Sequence, residues 1–313
     1  MLGVLIAAAL AAAPASAAQG PYKVESATGG TTLADGDRYA AWVHNGAVRV
    51  LDEQTRTTTS LPLPAECRAP GALGARAIAT ICGREVRVLD IATRTWGPVP
   101  ATETLNSLFS ADSVDVTAIG SVWIELFVEV GYHAPAFPAW VERATGRVVS
   151  EDPGNLRQYA SLDAPALWAP LCDPIRRRRN PDYDEFEAFG SPYVSPTVIG
   201  NRALEYGRDE RLYLRRCGSA RRTRVSRSRT WHLVWFGGTR VSWVDGLDDR
   251  TLAGDPRGRG RVYTYNAVSH RYRSWPMPGG VNPNVYVVHT RRHVFIDKLS
   301  SSLRTTRRYA IDL

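Results

Sequence analysis

Few residues in the sequence have the types and spacing that metal binding or catalysis requires. His289 and His293 have the spacing of a helical metal-binding pair, but no glutamate lies between them and the segment is typical of a β-hairpin. The densest acidic turn, Asp245 to Asp249, lacks the D-x-D/N-x-D/N-G pattern of a calcium loop and indicates an Asp-Gly turn. The sequence therefore predicts no metal site and no cofactor, and it identifies no catalytic residue.

Arginine clusters are better suited to binding a ligand. One arginine run and two nearby aromatic side chains form the predicted binding site: Arg176, Arg177, Arg178, Arg179, Trp168 and Tyr183. A second arginine run lies at 221–229. Guanidinium groups bind carboxylates and phosphates through paired hydrogen bonds, and aromatic rings stack on flat groups of a ligand. The alternative is a solvated loop in which acidic neighbours at 182–187 neutralise the first run.

The positive net charge is also compatible with an anionic partner. The chain of 313 residues has 39 Lys and Arg against 31 Asp and Glu, a formal net charge of +8. Lys23 and Lys298 are the only lysines, so arginine carries nearly all of the positive charge. The codon usage of a GC-rich genome is the alternative explanation for this bias. Hydrophobic residues (44%) and charged residues (22%) are in the range of soluble globular proteins.

Residues 1–18 have the pattern of a secretory signal peptide. An apolar run from Leu2 to Ala13 precedes Ala15-Ser16-Ala17, which fits the small-x-small rule for cleavage, although no Lys or Arg precedes the run. The run is shorter than the roughly 20 apolar residues that a membrane-spanning helix needs. We therefore expect a secreted protein of the periplasm, cell envelope or medium, with no transmembrane segment and with residues 19–313 as a single domain.

The four cysteines predict disulfides. In an oxidising compartment an even number of cysteines favours disulfide bonds, and the C-x₂₋₄-C pairs of a structural zinc site do not occur. Cys67 and Cys82 lie close together in the sequence, whereas Cys172 and Cys217 flank a long irregular stretch. We predict that the cysteines join in these two pairs.

A ten-residue repeat contains the main information about the fold. Val-Arg-Val-Leu-Asp-Glu-Gln-Thr-Arg-Thr at 48–57 recurs as Val-Arg-Val-Leu-Asp-Ile-Ala-Thr-Arg-Thr at 86–95, an offset of 38 residues. An apolar strand precedes each copy, and a strand that runs into proline follows it. Repeats of about 40–50 residues with several strands each are typical of β-propellers.

Weaker copies extend this pattern to four further units at 122–149, 201–225, 232–275 and 284–312. We predict an all-β fold, a β-propeller of about six blades, because each unit supplies several strands and no segment has a clear amphipathic helical pattern. The weaker copies leave five or seven blades open, and a β-sandwich is the alternative architecture. Residues 153–195 break the pattern and are expected to form an insertion.

The two ends of the repeat array predict how the ring closes. The last unit lacks its final strand, while Tyr22–Ser26 precedes the first unit as an orphan strand. An unpaired strand edge exposes backbone donors and acceptors and invites aggregation. We therefore predict that Tyr22–Ser26 pairs beside Arg308–Asp312 and completes the last blade.

The apolar strand, the Val-x-Val-Leu-Asp strand and the Thr-Arg turn together resemble the secreted bacterial TolB-like and WD40-like β-propellers. This resemblance covers most of the chain and concerns the fold, and the Gly-His and Trp-Asp signatures of WD40 blades are missing. It implies an exported, non-catalytic binding or scaffold propeller of the cell envelope or medium. An envelope carbohydrate-active enzyme on the same fold, a glycosidase or polysaccharide lyase, is the alternative. The expected partner is an anionic glycan or an envelope protein, and not a nucleic acid.

Overall fold

The computed structural model describes residues 22–24, 30–130, 137–150, 162–163, 198–199, 202–206, 209, 211–216, 219, 221–227, 234–245, 260–277, 285–299 and 305–313. Within these ranges the chain forms 24 β-strands and one short helix. The strands form six four-stranded antiparallel sheets. The chain is a six-bladed β-propeller, which confirms the architecture predicted from the repeat.

Blades 1 and 2 use the ten-residue repeat as their third strand and the turn that follows it. Alternation along the strand places Val48 and Val50 in the core. At the strand end, the Asp52 carboxylate accepts a hydrogen bond from the Gln54 amide (2.9 Å), and Arg56 ends the turn with a φ of 58°. The strands of these blades are β2 (Leu33–Ala34), β3 (Tyr39–His44), β4 (Ala47–Asp52), β5 (Thr57–Pro62), β6 (Ala72–Gly74), β7 (Ala77–Cys82), β8 (Glu85–Asp90) and β9 (Thr95–Pro98).

A short helix, α1 (Glu103–Leu108), connects blade 2 to blade 3. The Thr102 hydroxyl caps it by accepting a hydrogen bond from the Leu105 amide at 3.1 Å, and Leu105 is buried. The sequence predicted no helix here, because a helix of 6 residues is too short to show helical periodicity. The strands of blade 3 are β10 (Ser113–Ile119), β11 (Trp123–Glu129), β12 (Phe137–Glu142) and β13 (Val148–Ser150).

Blades 4 and 5 follow the same four-stranded pattern. The strands of blade 4 are β14 (Val198–Ile199), β15 (Arg202–Tyr206), β16 (Leu212–Arg216) and β17 (Arg222–Arg224), and those of blade 5 are β18 (Trp235–Gly237), β19 (Arg240–Asp245), β20 (Arg261–Asn266) and β21 (Tyr272–Pro276). The two blades share one hydrophobic cluster, in which Leu212 and Leu214 pack against Phe236 and Trp243.

Blade 6 is completed by the N-terminal strand. Its strands are β22 (Val285–His289), β23 (His293–Leu299), β24 (Thr305–Asp312) and β1 (Tyr22–Lys23). In this sheet Tyr22 pairs with Ala310, and the Val24 amide donates to the Arg308 carbonyl at 3.1 Å. The predicted closure of the ring is confirmed, with residues 25–26 of the predicted strand outside the described residues.

The blades follow one another around the ring in chain order. The first strands of neighbouring blades contact each other, β2 with β6 and with β22, β6 with β10, and β18 with β22, so these strands surround the central axis. The turns after the first and third strands of each blade lie at one end of the sheets, because antiparallel strands alternate in direction. We call this end the turn face. Two of its turns, at Gly36 and Gly237, approach so closely that a Cβ added to Gly36 would lie 2.4 Å from the Gly237 carbonyl carbon.

A buried ion pair fastens blade 6 to blade 1. The Arg308 Nε lies 2.8 Å from Asp297 Oδ1, and both side chains are 0% exposed. Thr32, just before β2, links the pair to blade 1: its hydroxyl accepts from Arg308 Nε at 2.5 Å and donates to Asp297 Oδ1 at 3.0 Å, and its amide donates to Asp297 Oδ2. The Arg308 Nη2 also donates to the Gly30 carbonyl at 3.3 Å.

A disulfide ties the connection between blades 1 and 2 to β7. Cys67, which follows β5, is bonded to Cys82 at the end of β7, as the sequence predicted. The backbone beside it also pairs with β7, because the Arg68 amide donates to the Ile81 carbonyl at 2.8 Å. The other predicted pair, Cys172 with Cys217, lies outside the described residues.

Candidate functional site: a basic cleft between blades 4 and 5

The binding residues predicted from the sequence lie outside the described part of the chain: Arg176, Arg177, Arg178, Arg179, Trp168 and Tyr183. The second arginine run is described at 221–227 and includes β17, the outer strand of blade 4. The structure therefore locates the second basic run but leaves the first one as a prediction.

His289 and His293 lie on opposite sides of blade 6. His289 faces blade 5, with Nδ1 2.5 Å from the Ser242 hydroxyl and Nε2 3.1 Å from the Gly237 carbonyl. Burial lowers the pKa of His289 to about 3, so the neutral ring accepts from the serine and donates to the carbonyl. His293 faces blade 1 and binds Glu53. The two imidazoles do not converge on an ion, and the serine beside His289 is 0% exposed, which excludes a substrate.

The His293 side chain joins two carboxylates from different blades. Its Nδ1 lies 2.7 Å from Glu53 Oε1 in blade 1, and its Nε2 lies 3.0 Å from Asp312 Oδ1 in blade 6. The Thr290 hydroxyl also donates to Glu53. Burial alone would lower the pKa of His293, but the hydrogen bond and charge of Glu53, together with Asp312, outweigh this effect and raise it. This contact fastens blade 6 to blade 1 at the turn face.

A cleft of about 380 Å³ lies between blades 4 and 5, and we call it the basic cleft. Residues from both blades line it: Arg202, Leu214, Arg215, Arg216, Thr223, Tyr265, Ala267 and His270. Three of these eight residues are arginines, and none of the eight is Asp or Glu. Among the described residues, the lining therefore contains more cationic than anionic side chains.

Strand register explains why two of these arginines converge. Arg202 pairs with Arg216 across β15 and β16, so both side chains project from the same face of blade 4 as Leu204 and Leu214. That face packs on blade 5. Among the described residues, neither Arg202 nor Arg216 has an ion-pair partner. Like charges directly opposite each other in a sheet destabilise it, so this arrangement is unfavourable in the absence of an anion.

Blade 5 supplies a wall that can contact a ligand through apolar and polar groups. The Tyr265 ring is buried, and its hydroxyl lies 2.7 Å from His270 Nδ1 in the turn between β20 and β21. Burial raises the pKa of Tyr265, so the hydroxyl stays protonated near neutral pH. His270 is exposed and also belongs to the lining of the cleft.

The second arginine run follows β16, and Thr223 is the only one of its described residues in the lining of the cleft. Arg222 projects from the opposite face of blade 4, where its guanidinium lies 4.1 Å from the centre of the Tyr213 ring. Arg224 is exposed on that same face. These residues add positive potential near the cleft and would attract an anion towards it. The sequence did not single out Arg202 and Arg216, because their proximity depends on the register of β15 and β16.

Neither a family model nor a curated protein matches the sequence. Many solved structures are similar in fold, and three of them serve as examples. TolB from Acinetobacter baumannii is 9% identical with a TM-score of 0.36, and the match covers 90% of this chain and 65% of TolB. The β-propeller domain of the Trilobed protease from Pyrococcus furiosus is 9% identical with a TM-score of 0.44, covering 95% and 94%. The Cps50 (Swd1) β-propeller domain from Myceliophteria thermophila is 10% identical with a TM-score of 0.39, covering 93% and 98%.

These structures include the TolB-like and WD40-like propellers that the repeat resembles, and the likeness concerns the fold alone. Two further observations limit the chemistry of the described ranges. No group of three or more His, Cys, Asp or Glu side chains in them could hold a metal ion. No helix in them is long and apolar enough to cross a bilayer.

Proposed function

We propose that the protein is an exported β-propeller that binds an acidic polysaccharide in the basic cleft. One observation carries this proposal: Arg202 and Arg216 face the cleft opposite each other, without a carboxylate partner among the described residues. An anionic ligand would replace the repulsion between the two guanidinium groups with two charge-assisted interactions. A polyuronate has one carboxylate on each sugar ring, so it offers an acceptor to each arginine.

Export is the second part of the proposal. The signal-peptide pattern at 1–18 supports secretion to the periplasm, envelope or medium. The disulfide between Cys67 and Cys82 is typical of an oxidising compartment. In this proposal residues 19–313 form a single propeller domain, and the segment 153–195 is an insertion in it.

The lining of the basic cleft favours binding over hydrolysis. A glycosidase places two carboxylates on either side of the scissile bond, one as acid and one as base or nucleophile. No Asp or Glu is among the eight described residues that line the cleft. The arrangement therefore supports a non-catalytic binding protein, and an enzyme of the cell envelope remains the alternative from the sequence.

Calorimetry with oligogalacturonate tests the proposal on the secreted protein. The double variant Arg202→Gln, Arg216→Gln should bind this ligand at least about tenfold more weakly, because it loses two charge-assisted hydrogen bonds. A matched control, Arg56→Asn with Arg94→Asn, removes the same charge from exposed turns in blades 1 and 2. Raising the salt from about 50 mM to about 500 mM should weaken binding to the unmodified protein.

Equal losses of affinity in the double variant and its control would show that only net charge matters, and this would contradict the proposed site.

Replacing Arg176–Arg179 with serine tests whether the predicted binding run contributes to binding of the same ligand. We expect a loss of affinity with an unchanged melting temperature. Unchanged affinity in that variant would remove this run from the site.

A further inference from the structure

A second cleft lies at the seam between the first and last blades, and we call it the seam cleft. It has a volume of about 290 Å³. Its lining is mostly apolar and comes from both blades: Trp42, Arg49, Leu51 and Thr58 from blade 1, and Val24, His293, Phe295 and Ala310 from blade 6. The rings of Trp42 and Phe295 form its inner wall, with centroids 6.2 Å apart.

The repeat explains why this cleft is open. Thr58 in β5 occupies the place of Trp96 in β9, since the offset is 38 residues and each pairs with the leucine of its Val-Leu-Asp strand. In blade 2 the Trp96 ring packs against the core shared with blade 1, and its Nε1 donates to the Pro62 carbonyl at 2.9 Å. Thr58 is too small to fill the equivalent space at the seam of blade 1. The same position in the repeat is therefore filled by a tryptophan ring in blade 2 and left open beside a threonine in blade 1.

A second pair of equivalent residues, Arg49 in blade 1 and Arg87 in blade 2, differs in its ion-pair partners. Arg87 in blade 2 is paired with Glu85 at 3.3 Å and with Glu66 at 3.5 Å. Its counterpart in blade 1 is Arg49, and Ala47 stands where blade 2 has Glu85. The Arg49 Nε is buried and has no hydrogen-bond partner among the described residues. A buried donor without an acceptor is destabilising, so a ligand that supplies an acceptor to Arg49 Nε would be favoured in the seam cleft.

The other ionisable group of the cleft is already satisfied. Both ring nitrogens of His293 are bound by carboxylates, Glu53 at 2.7 Å and Asp312 at 3.0 Å. His293 therefore offers a ligand only its ring, and it closes the cleft at the end nearest the turn face. Arg49 is left as the group that can pair with a charged ligand.

We propose that the seam cleft binds a small molecule with a flat apolar body and a single carboxylate. The carboxylate accepts hydrogen bonds from the Arg49 guanidinium, including its Nε, in the side-on geometry that the two groups share. The body lies against Trp42 and Phe295. A phosphate or sulfate is a poorer match, because Thr58 is the only other side-chain donor in the lining that is not already bound to a carboxylate or part of the indole wall. The volume of about 290 Å³ lies just below the range of about 300–1,000 Å³ for ligand pockets, which indicates a small ligand.

The test uses aromatic monocarboxylates (benzoate, phenylacetate and indole-3-acetate) and the neutral amide phenylacetamide. Titrations of the full secreted protein, followed by calorimetry and ligand-observed NMR, should show that at least one of the acids binds. Arg49→Gln should weaken the binding of that acid at least about tenfold, because a charge-assisted hydrogen bond is lost. Phenylacetamide should bind weakly to both proteins and show no such difference.

Thr58→Trp supplies a second, independent test. This change copies the residue that blade 2 already holds at the same place, so the protein should fold and the cleft should be filled. Binding of the acid should be lost. Thr57→Trp is the matched control, because Thr57 is exposed on the opposite face of β5 and its replacement should leave binding unchanged.

Hydrogen exchange provides a readout at the cleft itself. A bound ligand contacts Val24 and Ala310 and should slow exchange of the Val24 amide, which donates to Arg308. The inference would be overturned if none of the three acids bound, or if Arg49→Gln and Thr58→Trp bound them as well as the unmodified protein. It does not rest on the basic cleft, so Arg202→Gln with Arg216→Gln should leave this binding unchanged.

Discussion

Replacing Asp297 with asparagine should destabilise the propeller strongly, because it removes one partner of a fully buried ion pair. Asparagine keeps the shape of the aspartate, but the Arg308 guanidinium would remain 0% exposed and without a counter-charge. Breaking a buried pair in this way costs about 3–5 kcal/mol. For a domain of roughly 300 residues, 1 kcal/mol corresponds to about 2 °C, so the melting temperature should fall by about 6–10 °C.

An exposed ion pair in the same protein gives the matched control. The Arg68 Nη1 lies 3.3 Å from Asp115 Oδ1, and the two side chains are 58% and 61% exposed. Solvent screens such a pair, which contributes about 0–1 kcal/mol. Asp115→Asn should therefore move the urea unfolding midpoint much less than Asp297→Asn, while the slope of the transition stays the same in both variants.

The double variant Asp297→Leu, Arg308→Met separates two free energies: the contribution of the ion pair to stability, and the cost of leaving one buried charge without its partner. Burial raises the pKa of Asp297, although Arg308 and Thr32 act to lower it. Replacing a buried ion pair with apolar residues of similar volume is often neutral or stabilising. The double variant should be more stable than Asp297→Asn, even though Thr32 loses two partners. The reasoning is refuted if Asp297→Asn costs less than about 1 kcal/mol, or if the double variant is the less stable one.

Three further predictions follow from other contacts. Deleting Tyr22–Ser26 should lower the melting temperature by several degrees because β24 loses its outer partner, and an unchanged value would contradict the closure of the ring. The pKa of His293 is raised in the fold, so its contribution to stability is complete below about pH 6.5 and is lost as the pH rises above the folded value. Urea midpoints of the unmodified protein should therefore fall between about pH 6 and pH 8.5 more than those of His293→Gln, and parallel curves would contradict this. Replacing Cys67 and Cys82 with serine should cost about 3 kcal/mol in the free energy of unfolding, whereas a midpoint equal to that of the disulfide-bonded protein would contradict a stabilising role.

The repeat was sufficient to predict the architecture but not every strand. The Val-Arg-Val-Leu-Asp strands became β4 and β8, and the missing last strand correctly predicted the pairing of β1 with β24. Four inner strands were missed: β10, which lies outside the predicted third unit, and β2, β6 and β14, which have only two or three residues, too few to show alternation. They form because the preceding blade and the strand beside them fix the backbone, which is tertiary information.

The two clefts were missed for different reasons. No motif in the sequence distinguishes Arg202 and Arg216 from the other arginines, and only the register of β15 and β16 brings them together. The seam cleft, in contrast, could have been predicted from a difference between the two repeats. Aligning the two repeats at their offset places Thr58 over Trp96 and shows a position where one blade lacks the large side chain of the other. A comparison of differences within the repeat would have found it.

The pairing of Tyr22 with Ala310 also determines when the fold can be finished. These residues come from opposite ends of the described chain, and contacts of such long sequence separation require costly loop closure and form slowly. Among the described strands, β1 is synthesised before all the others and its partner β24 after them, so this sheet cannot be completed until the other five blades have been made. Blade 6 therefore depends on a strand that must wait for its partner throughout the synthesis of the described blades.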